Sequence, residues 1–192
     1  MSVNMVERAL IFATQAHQGQ TRKDESTPYI LHPAEVAGIA ATMTDDEEVI
    51  TACVLHDTVE DTDVTLDDVR REFSDRVAEI VAGDTEEDAG DIPREVSWYT
   101  RKEKSLKHLM NSSRDVKILW LSDKLSNMRS FYRMYRAEGD RMWRHFNQKD
   151  KNVQSWYYHT IADLLSELSN TAAYEEYVYR LGVVFGDDTE KA

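Results

Sequence analysis

The chain has 192 residues and a formal net charge of -13, and 41% of its residues are hydrophobic. This length and hydrophobic content fit one globular domain with a sizeable core and exclude an intrinsically disordered chain. The acidic balance excludes non-specific binding to nucleic acid or anionic membranes, although a local basic patch can still bind an anionic small molecule. Because there are only 3 Pro and 7 Gly, the composition predicts a mostly helical fold.

The N-terminus and the cysteine content predict a cytoplasmic protein. Residues 1–7 lack the basic and apolar regions of a signal peptide, and no apolar run reaches the length of a membrane span. Cys53 is the single cysteine and lies in the apolar run 49–55, so we expect a buried thiol in a reducing compartment. We therefore expect no membrane and no nucleic-acid partner.

The first two helices follow from apolar spacing and from one proline. Residues 3–17 carry apolar side chains at helical spacing, and a polar segment follows over residues 18–28. Pro33 fits the first turn of a second helix that runs to about Met43. His32 is therefore expected at the start of that helix, where its ring can point away from the helix.

Three capping signals predict the next helices. Residues 44–47 have the pattern of a capping box, with Thr44 as the cap of a helix that ends near His56. Thr65 and Ser74 are expected to cap two further helices. Residues 84–96 are acidic and contain Gly90 and Pro93, so we expect a loop there. The remaining helices are predicted over residues 97–111, 114–136, 138–146, 150–169 and 172–183, with the apolar run 116–121 as a buried helix.

Four residues form a candidate metal site, namely His32, His56, Asp57 and Asp123. This set of imidazole nitrogens and carboxylate oxygens is better suited to Mn²⁺, Fe²⁺ or Co²⁺ than to zinc, whose sites are often rich in thiolates. Asp123 lies among apolar residues, where a charged group needs a partner. Taken singly, each residue has an ordinary structural interpretation as a cap, a surface residue or a salt-bridge partner. Only the joint pattern favours a metal site.

Glu60 and Asp61 follow the His56–Asp57 pair by four residues each. In a hydrolase, one carboxylate could position or deprotonate the attacking water while the other orients it or protonates the leaving group. The alternative is an acidic turn before the Thr65 cap. The spacing favours catalytic acids but does not divide the two roles.

Four blocks of sequence resemble the alarmone hydrolase domain of the RelA/SpoT family, a branch of the HD-domain metallophosphohydrolases with an H…HD…D signature. The blocks are residues 16–23, 27–37, 55–62 and 121–129. They occur in the family's order, and the resemblance covers about residues 5–170. Since the chain has no room for synthetase and regulatory domains, it is similar to the stand-alone small alarmone hydrolases. The resemblance implies an all-α HD-domain helical bundle of roughly eight to ten helices, in a single domain over residues 1–192 on which helix 172–183 packs.

The resemblance also implies an activity and a site. The expected reaction is hydrolysis of the 3′-pyrophosphate of ppGpp or pppGpp by a metal-activated water, giving GDP or GTP and pyrophosphate, with one Mn²⁺ ion as cofactor. The implied metal ligands are His32, His56, Asp57 and Asp123, and the implied catalytic acids are Glu60 and Asp61. The implied substrate contacts are Arg22 and Lys23 at the guanine nucleotide, Asn127 at the ribose, and Ser130.

The residues themselves support part of this assignment. Asp123 and Asn127 are four residues apart and would share one helix face. Arg22 and Lys23 are basic in an acidic chain, and an arginine can stack on a base while a lysine binds phosphate. A solvated loop is the alternative for this basic pair. His17 lies in the first block, and we expect it to support the Arg22 loop rather than to bind the metal.

The chain also departs from the family, which leaves the substrate open. Residues 83–86 read Gly-Asp-Thr-Glu where the family often has Val-Thr-Lys, and Ser126 replaces a histidine. Arg101, Lys102 or Lys104 could supply the missing positive charge. One alternative function is therefore an HD phosphohydrolase that acts on another nucleotide, such as removal of the 2′-phosphate of NADPH. A non-catalytic nucleotide-binding regulatory module is the other alternative.

Overall fold

A computed structural model of the chain describes residues 4–22, 27–85 and 94–186. Over these residues it contains ten α-helices and two 3-10 helices, and its only extended pairing is an isolated bridge between Thr21 and Pro28. This architecture confirms the predicted all-α fold class. Within the same ranges, every helix is too short or too polar to cross a membrane.

The chain divides into two compact units. The first comprises residues 1–85 and 112–123, and the second comprises residues 86–111 and 124–192. Whether these two units form the single domain predicted over residues 1–192 is not decided by this division, and one domain stays a prediction. In chain order, the α-helices are α1 (Met5–Ala16), α2 (Leu31–Ala40), α3 (Glu47–Leu55), α4 (Thr58–Asp61), α5 (Leu66–Glu72), α6 (Asp75–Ala82), α7 (Arg94–Met110), α8 (Arg114–Glu138), α9 (Lys151–Leu164) and α10 (Ala172–Phe185). The 3-10 helices are Gly139–His145 and Ser166–Leu168.

Helix α3 is the centre of the first unit, because α1, α2 and α6 all pack against it. Its residues 51–55 are fully buried, and they include Cys53, which is a free thiol as predicted. Helix α8 adds buried Leu119 and Leu121 to the same unit. The C-terminal end of α3 therefore lies inside the core. The backbone of the residues that follow Leu55 is held in place by this packing.

The predicted caps are confirmed for α5 and α6 and wrong for α3. Thr65 and Ser74 accept hydrogen bonds from backbone N–H groups of the helices that they precede. At α3 the cap is Asp46, whose carboxylate accepts from the Glu48 N–H at 3.0 Å. Thr44 Oγ1 instead accepts from the Asp46 N–H at 3.1 Å, which forms a turn ahead of the helix. Asp46 also pairs with Arg76 at 2.8 Å, so tertiary contacts favour the later cap.

Other predicted boundaries shift in the second half of the chain. The expected loop over residues 84–96 falls mostly on residues 86–93, which lie outside the described residues, but residues 94–96 already belong to α7. The expected helix 138–146 is a 3-10 helix that begins at Gly139, a residue with a positive φ of 60°. The expected helix 150–169 ends at Leu164 and continues as a separate 3-10 turn. The apolar run 116–121 is helical, as expected.

The second unit is held by aromatic side chains. Helix α9 packs against both α7 and α10. Tyr157 and Tyr158 of α9 are buried, and Tyr158 contacts Phe131 with ring centroids 5.3 Å apart. On α10, Glu176 forms an ion pair with Arg129 of α8 at 2.7 Å. Helix α10 thus packs on its unit through both apolar and charged contacts.

Candidate metal centre

The junction between α3 and α4 presents His56 and Asp57 as neighbours. Helix α3 ends at Leu55, His56 follows as its C-cap, and Asp57 is the N-cap of α4. Thr58 Oγ1 donates to the Leu55 carbonyl at 2.7 Å and so closes the end of α3. Adjacent side chains on one continuous helix would diverge, but this break in the helix lets both reach one point.

A hydrogen bond to the backbone fixes the orientation of the His56 ring. Its Nδ1 lies 2.9 Å from the Cys53 carbonyl oxygen, inside the core. A proton on Nδ1 donates to that carbonyl and leaves Nε2 as the ligand atom, which is the usual arrangement behind a metal-binding histidine. Nε2 is buried and faces the carboxylates of Asp57 and Asp123.

The four predicted ligands bring their ligand atoms close together. His56 Nε2 lies 3.1 Å from Asp57 Oδ2 and 3.7 Å from Asp123 Oδ1. His32, the second residue of α2, has its Nε2 3.1 Å from Asp123 Oδ1 and 3.5 Å from Asp57 Oδ2. His32, His56 and Asp123 are buried, whereas Asp57 is half-buried. The site is therefore closed toward the core and open on the side of Asp57.

The donor set fits a divalent cation. Ligand atoms of His32, His56 and Asp57 lie within 4.8 Å of one another, and two imidazoles with carboxylates are typical ligands of a first-row divalent metal. Burial acts to lower the pKa of His56, yet the carboxylates of Asp57 and Asp123 raise it well above its ordinary value. Burial opposes ionisation of Asp57, but the adjacent imidazoles of His56 and His32 hold the pKa of Asp57 well below its ordinary value. The negative charge that raises the pKa of His56 also attracts a metal cation.

Tyr29 joins the centre to a predicted catalytic acid, and the sequence did not indicate this role. Its hydroxyl donates to Asp57 Oδ2 at 2.6 Å and lies 3.1 Å from Asp61 Oδ2. Burial and the charge of Asp57 raise the pKa of Tyr29, so the phenol stays protonated and remains a donor. The available signal was the place of Tyr29 in a family block, three residues before His32.

The Gln20 side chain holds the segment around Asp61 by a hydrogen bond to the Asp61 backbone. Its Nε2 donates to the Asp61 carbonyl oxygen at 2.8 Å, and its Oε1 lies 2.8 Å from His17 Nδ1. The His17 ring also packs against Tyr29, with centroids 4.7 Å apart. His17 therefore contacts the loop that leads to Arg22, which agrees with a supporting role for this histidine.

The other predicted site residues belong to α4, to the segment before α2 and to α8. Glu60 and Asp61 are exposed on α4. Arg22 is half-buried, with its Cζ 5.9 Å from the centroid of the Tyr29 ring, whereas Lys23 lies outside the described residues. Asn127 and Ser130 lie on the part of α8 that belongs to the second unit, where Ser130 Oγ accepts from Arg133 at 3.0 Å. Their roles at a substrate stay predictions.

Comparison with known proteins places these residues in a family. Residues 9–151 match the family model described as HD domain. The chain is 40% identical over 125 residues to the guanosine-3′,5′-bis(diphosphate) 3′-pyrophosphohydrolase MESH1 of Danio rerio, which covers 64% of this chain and 66% of that protein. It is 36% identical over 135 residues to the guanosine-3′,5′-bis(diphosphate) 3′-pyrophosphohydrolase of Aquifex aeolicus (strain VF5), covering 69% of this chain and 18% of that protein.

A solved structure shows the same similarity in three dimensions. It is that of a metazoan orthologue of SpoT that hydrolyses ppGpp, with a TM-score of 0.75 and 25% identity over 95% of this chain and 96% of that one. The chain spans just under two thirds of the fish relative and less than a fifth of the bacterial one. Since the family model matches most of its length and its histidines and aspartates converge as described, this chain belongs to the HD-domain family.

Proposed function

We propose that this protein is a metal-dependent 3′-pyrophosphohydrolase of ppGpp and pppGpp. The products would be GDP or GTP and pyrophosphate. One observation carries the proposal: the side chains of His32, His56, Asp57 and Asp123 cluster, and the Tyr29 hydroxyl contacts both Asp57 of this cluster and Asp61. Relatives that carry this activity in their names are 36% and 40% identical to the chain.

The cofactor we propose is Mn²⁺, held by His32, His56, Asp57 and Asp123. Two imidazoles combined with carboxylates suit this ion, and the site has no thiolate because Cys53 is buried and its pKa is raised by burial. When bound, a divalent ion there would polarise a phosphoryl oxygen and lower the pKa of a water molecule. The buried His56 ring, held by the Cys53 carbonyl, presents its nitrogen without reorganisation.

Glu60 and Asp61 would carry the proton transfers. We propose that one of them accepts a proton from the water that attacks the phosphorus atom next to the ribose. The bond between that phosphorus and the 3′ oxygen then breaks, and the other carboxyl group donates a proton to the 3′ oxygen. Both residues are exposed on α4, which leaves them accessible to a nucleotide from solvent.

Arg22 and Lys23 would bind the guanine nucleotide, with Asn127 at the ribose and Ser130 as a further contact. Arg22 supports this proposal because it is half-buried over the Tyr29 ring, and Tyr29 contacts Asp57. A guanidinium held against an aromatic ring can present its other face to a base. We also propose that residues 1–192 act as one domain in the cytoplasm, in the turnover of the alarmone of the stringent response.

The direct test compares three nucleotides under identical conditions. Full-length protein loaded with Mn²⁺ would be incubated with ppGpp, pppGpp and NADPH in parallel, and the products would be separated by ion-exchange chromatography. We expect GDP and pyrophosphate from ppGpp, and GTP and pyrophosphate from pppGpp. Absence of GDP at micromolar enzyme, with NADPH dephosphorylated instead, would contradict the proposal.

A further inference from the structure

The end of α6 brings a third carboxylate, that of Asp84, to the metal centre. Ligand atoms of His56, Asp84 and Asp123 lie within 4.8 Å of one another. Asp84 is half-buried, and the other two residues are buried. The H…HD…D signature does not include this position, and the sequence marked it only as an acid in a segment where the family often has Val-Thr-Lys.

Packing against α8 fixes the backbone at Asp84. A Cβ on the preceding residue, Gly83, would lie 2.6 Å from Val116 Cγ2, so only glycine allows this close approach of α6 to α8. The Trp120 indole N–H donates to the Gly83 carbonyl at 3.2 Å, and the Asp84 N–H donates to the Val81 carbonyl at 3.1 Å. The backbone next to Asp84 is therefore held against α8, the helix that carries Asp123.

The geometry allows one ion rather than two. His56 belongs both to the group with His32 and Asp57 and to the group with Asp84 and Asp123. Its Nδ1 is engaged by the Cys53 carbonyl, so Nε2 is the single nitrogen that it can offer. One imidazole nitrogen coordinates one metal ion, and this Nε2 is buried and faces Asp57 and Asp123. The two groups can therefore bind only one shared ion, not two separate ions.

We propose that Asp84 is a further protein ligand of this ion, which would make a centre of two imidazoles and three carboxylates. The proposal rests on the metal centre of the proposed function and extends it. A third carboxylate favours ions that prefer oxygen, such as Mn²⁺, and occupies a coordination position that water would otherwise hold. Asp84 thereby sets both the metal affinity and the number of water molecules bound to the ion.

The test measures metal binding on the full chain without nucleotide. Mn²⁺ would be titrated into wild type and Asp84→Asn, with free Mn²⁺ measured by electron paramagnetic resonance and bound water by water-proton relaxation. We expect Asp84→Asn to weaken Mn²⁺ binding by about tenfold or more, a loss at least as large as that for residues supporting metal ligands. The relaxation enhancement per bound ion should rise, because water replaces the lost carboxylate.

Glu79→Gln is the matched control, since Glu79 is exposed on α6, the helix that leads to Asp84, and the change removes the same charge. Equal affinity losses in both variants, or wild-type affinity in Asp84→Asn, would overturn the proposal. Weaker binding with unchanged relaxation per bound ion would also overturn it, because Asp84 would then act only through its charge. If Asp84→Asn does not fold by circular dichroism, Asp84→Ser takes its place under the same criteria. Failure of the proposed function would appear separately, as wild type that binds Mn²⁺ yet releases no GDP from ppGpp.

Discussion

The Tyr29 hydroxyl donates to Asp57 Oδ2 at 2.6 Å and lies 3.1 Å from Asp61 Oδ2. A single phenol thus contacts a proposed metal ligand and a proposed catalytic acid at the same time. Its ring is held in turn by His17 and by His32, with centroids 4.7 and 5.9 Å away. Tyr29 therefore helps to set the position of Asp61 relative to Asp57.

Replacement of Tyr29 by Phe should reduce activity without unfolding the protein. The ring and its packing remain, whereas both hydroxyl contacts are lost. We expect Mn²⁺ affinity and kcat for ppGpp each to fall by about tenfold to a hundredfold, as is typical for residues that orient metal ligands. Metal titration and initial rates would measure the two effects.

Tyr174→Phe is the control for Tyr29→Phe. The Tyr174 hydroxyl donates to the Ala162 carbonyl at 3.0 Å in the second unit. Its loss should cost about 1 kcal/mol of stability and leave metal binding unchanged. Wild-type affinity and rate in Tyr29→Phe would show that the phenol only packs.

Removal of the Asp57 carboxylate should abolish metal binding. Asp57 Oδ2 lies within 3.5 Å of the Nε2 atoms of both histidines, so Asp57→Ala removes the oxygen between them. We expect no bound Mn²⁺ by electron paramagnetic resonance and no turnover of ppGpp. Asp45→Asn, a charge change at an exposed residue, should leave both unchanged. A variant Asp57→Ala that binds Mn²⁺ normally would remove this residue from the ligand set.

Glu60 should be required for turnover but not for metal binding. It is exposed on α4 and is not among the groups whose ligand atoms cluster in the described residues. We expect Glu60→Gln to keep wild-type Mn²⁺ affinity while kcat falls by about a hundredfold or more, the usual contribution of a general acid or base. Asp63→Asn, nearby and equally exposed, serves as the control. If Glu60→Gln remains fully active, the proton transfer belongs to other groups.

The sequence was sufficient to predict that His56 and Asp57 lie together at the end of α3, because their position depends on local structure. The apolar run of α3 and its end at Leu55 can be inferred from residue types alone, and so can the helix start at His32. The cap of α3 was harder to predict, since Thr44 and Asp46 are both good caps and the contact of Asp46 with Arg76 is tertiary. Local patterns also place Asn127 on α8, but they do not show what its side chain contacts.

The contacts of Tyr29 and the position of Asp84 could not be predicted, for a different reason. Neither residue belongs to a periodic pattern that shows where its side chain points. The direction of the Tyr29 phenol depends on the turn held by the bridge between Thr21 and Pro28. The position of Asp84 depends on the fit of Gly83 against Val116 of another helix. Both are set by packing between segments distant in sequence, which residue spacing does not encode.

The ion pairs of Glu176 predict a dependence of stability on pH in the second unit. Arg129 donates from Nε and Nη2 to the two carboxylate oxygens at 2.8 and 2.7 Å, and Arg180 Nε donates at 2.7 Å. The hydrogen bonds from Arg129 and then from Arg180 lower the pKa of Glu176 from 4.5 to about 2, against the effect of burial. Because the folded-state pKa lies below the unfolded value, the stabilisation is complete above pH 4.5 and is lost as the pH falls toward 2.

Glu176→Gln should therefore lower the free energy of unfolding by about 1–2 kcal/mol at pH 7, an order of magnitude typical of hydrogen bonds to charged groups that are partly exposed. The difference from wild type should shrink as the pH falls below the 4.5 of an ordinary glutamate, because protonation then removes the same charge from the wild type. Urea unfolding at pH 7 and at about pH 3 measures both quantities. Glu175→Gln, at the exposed neighbouring position, should show a smaller change at pH 7. A difference for Glu176→Gln that is equal at both pH values would mean that the carboxylate charge does not stabilise the fold, and that the variant acts through side-chain packing instead.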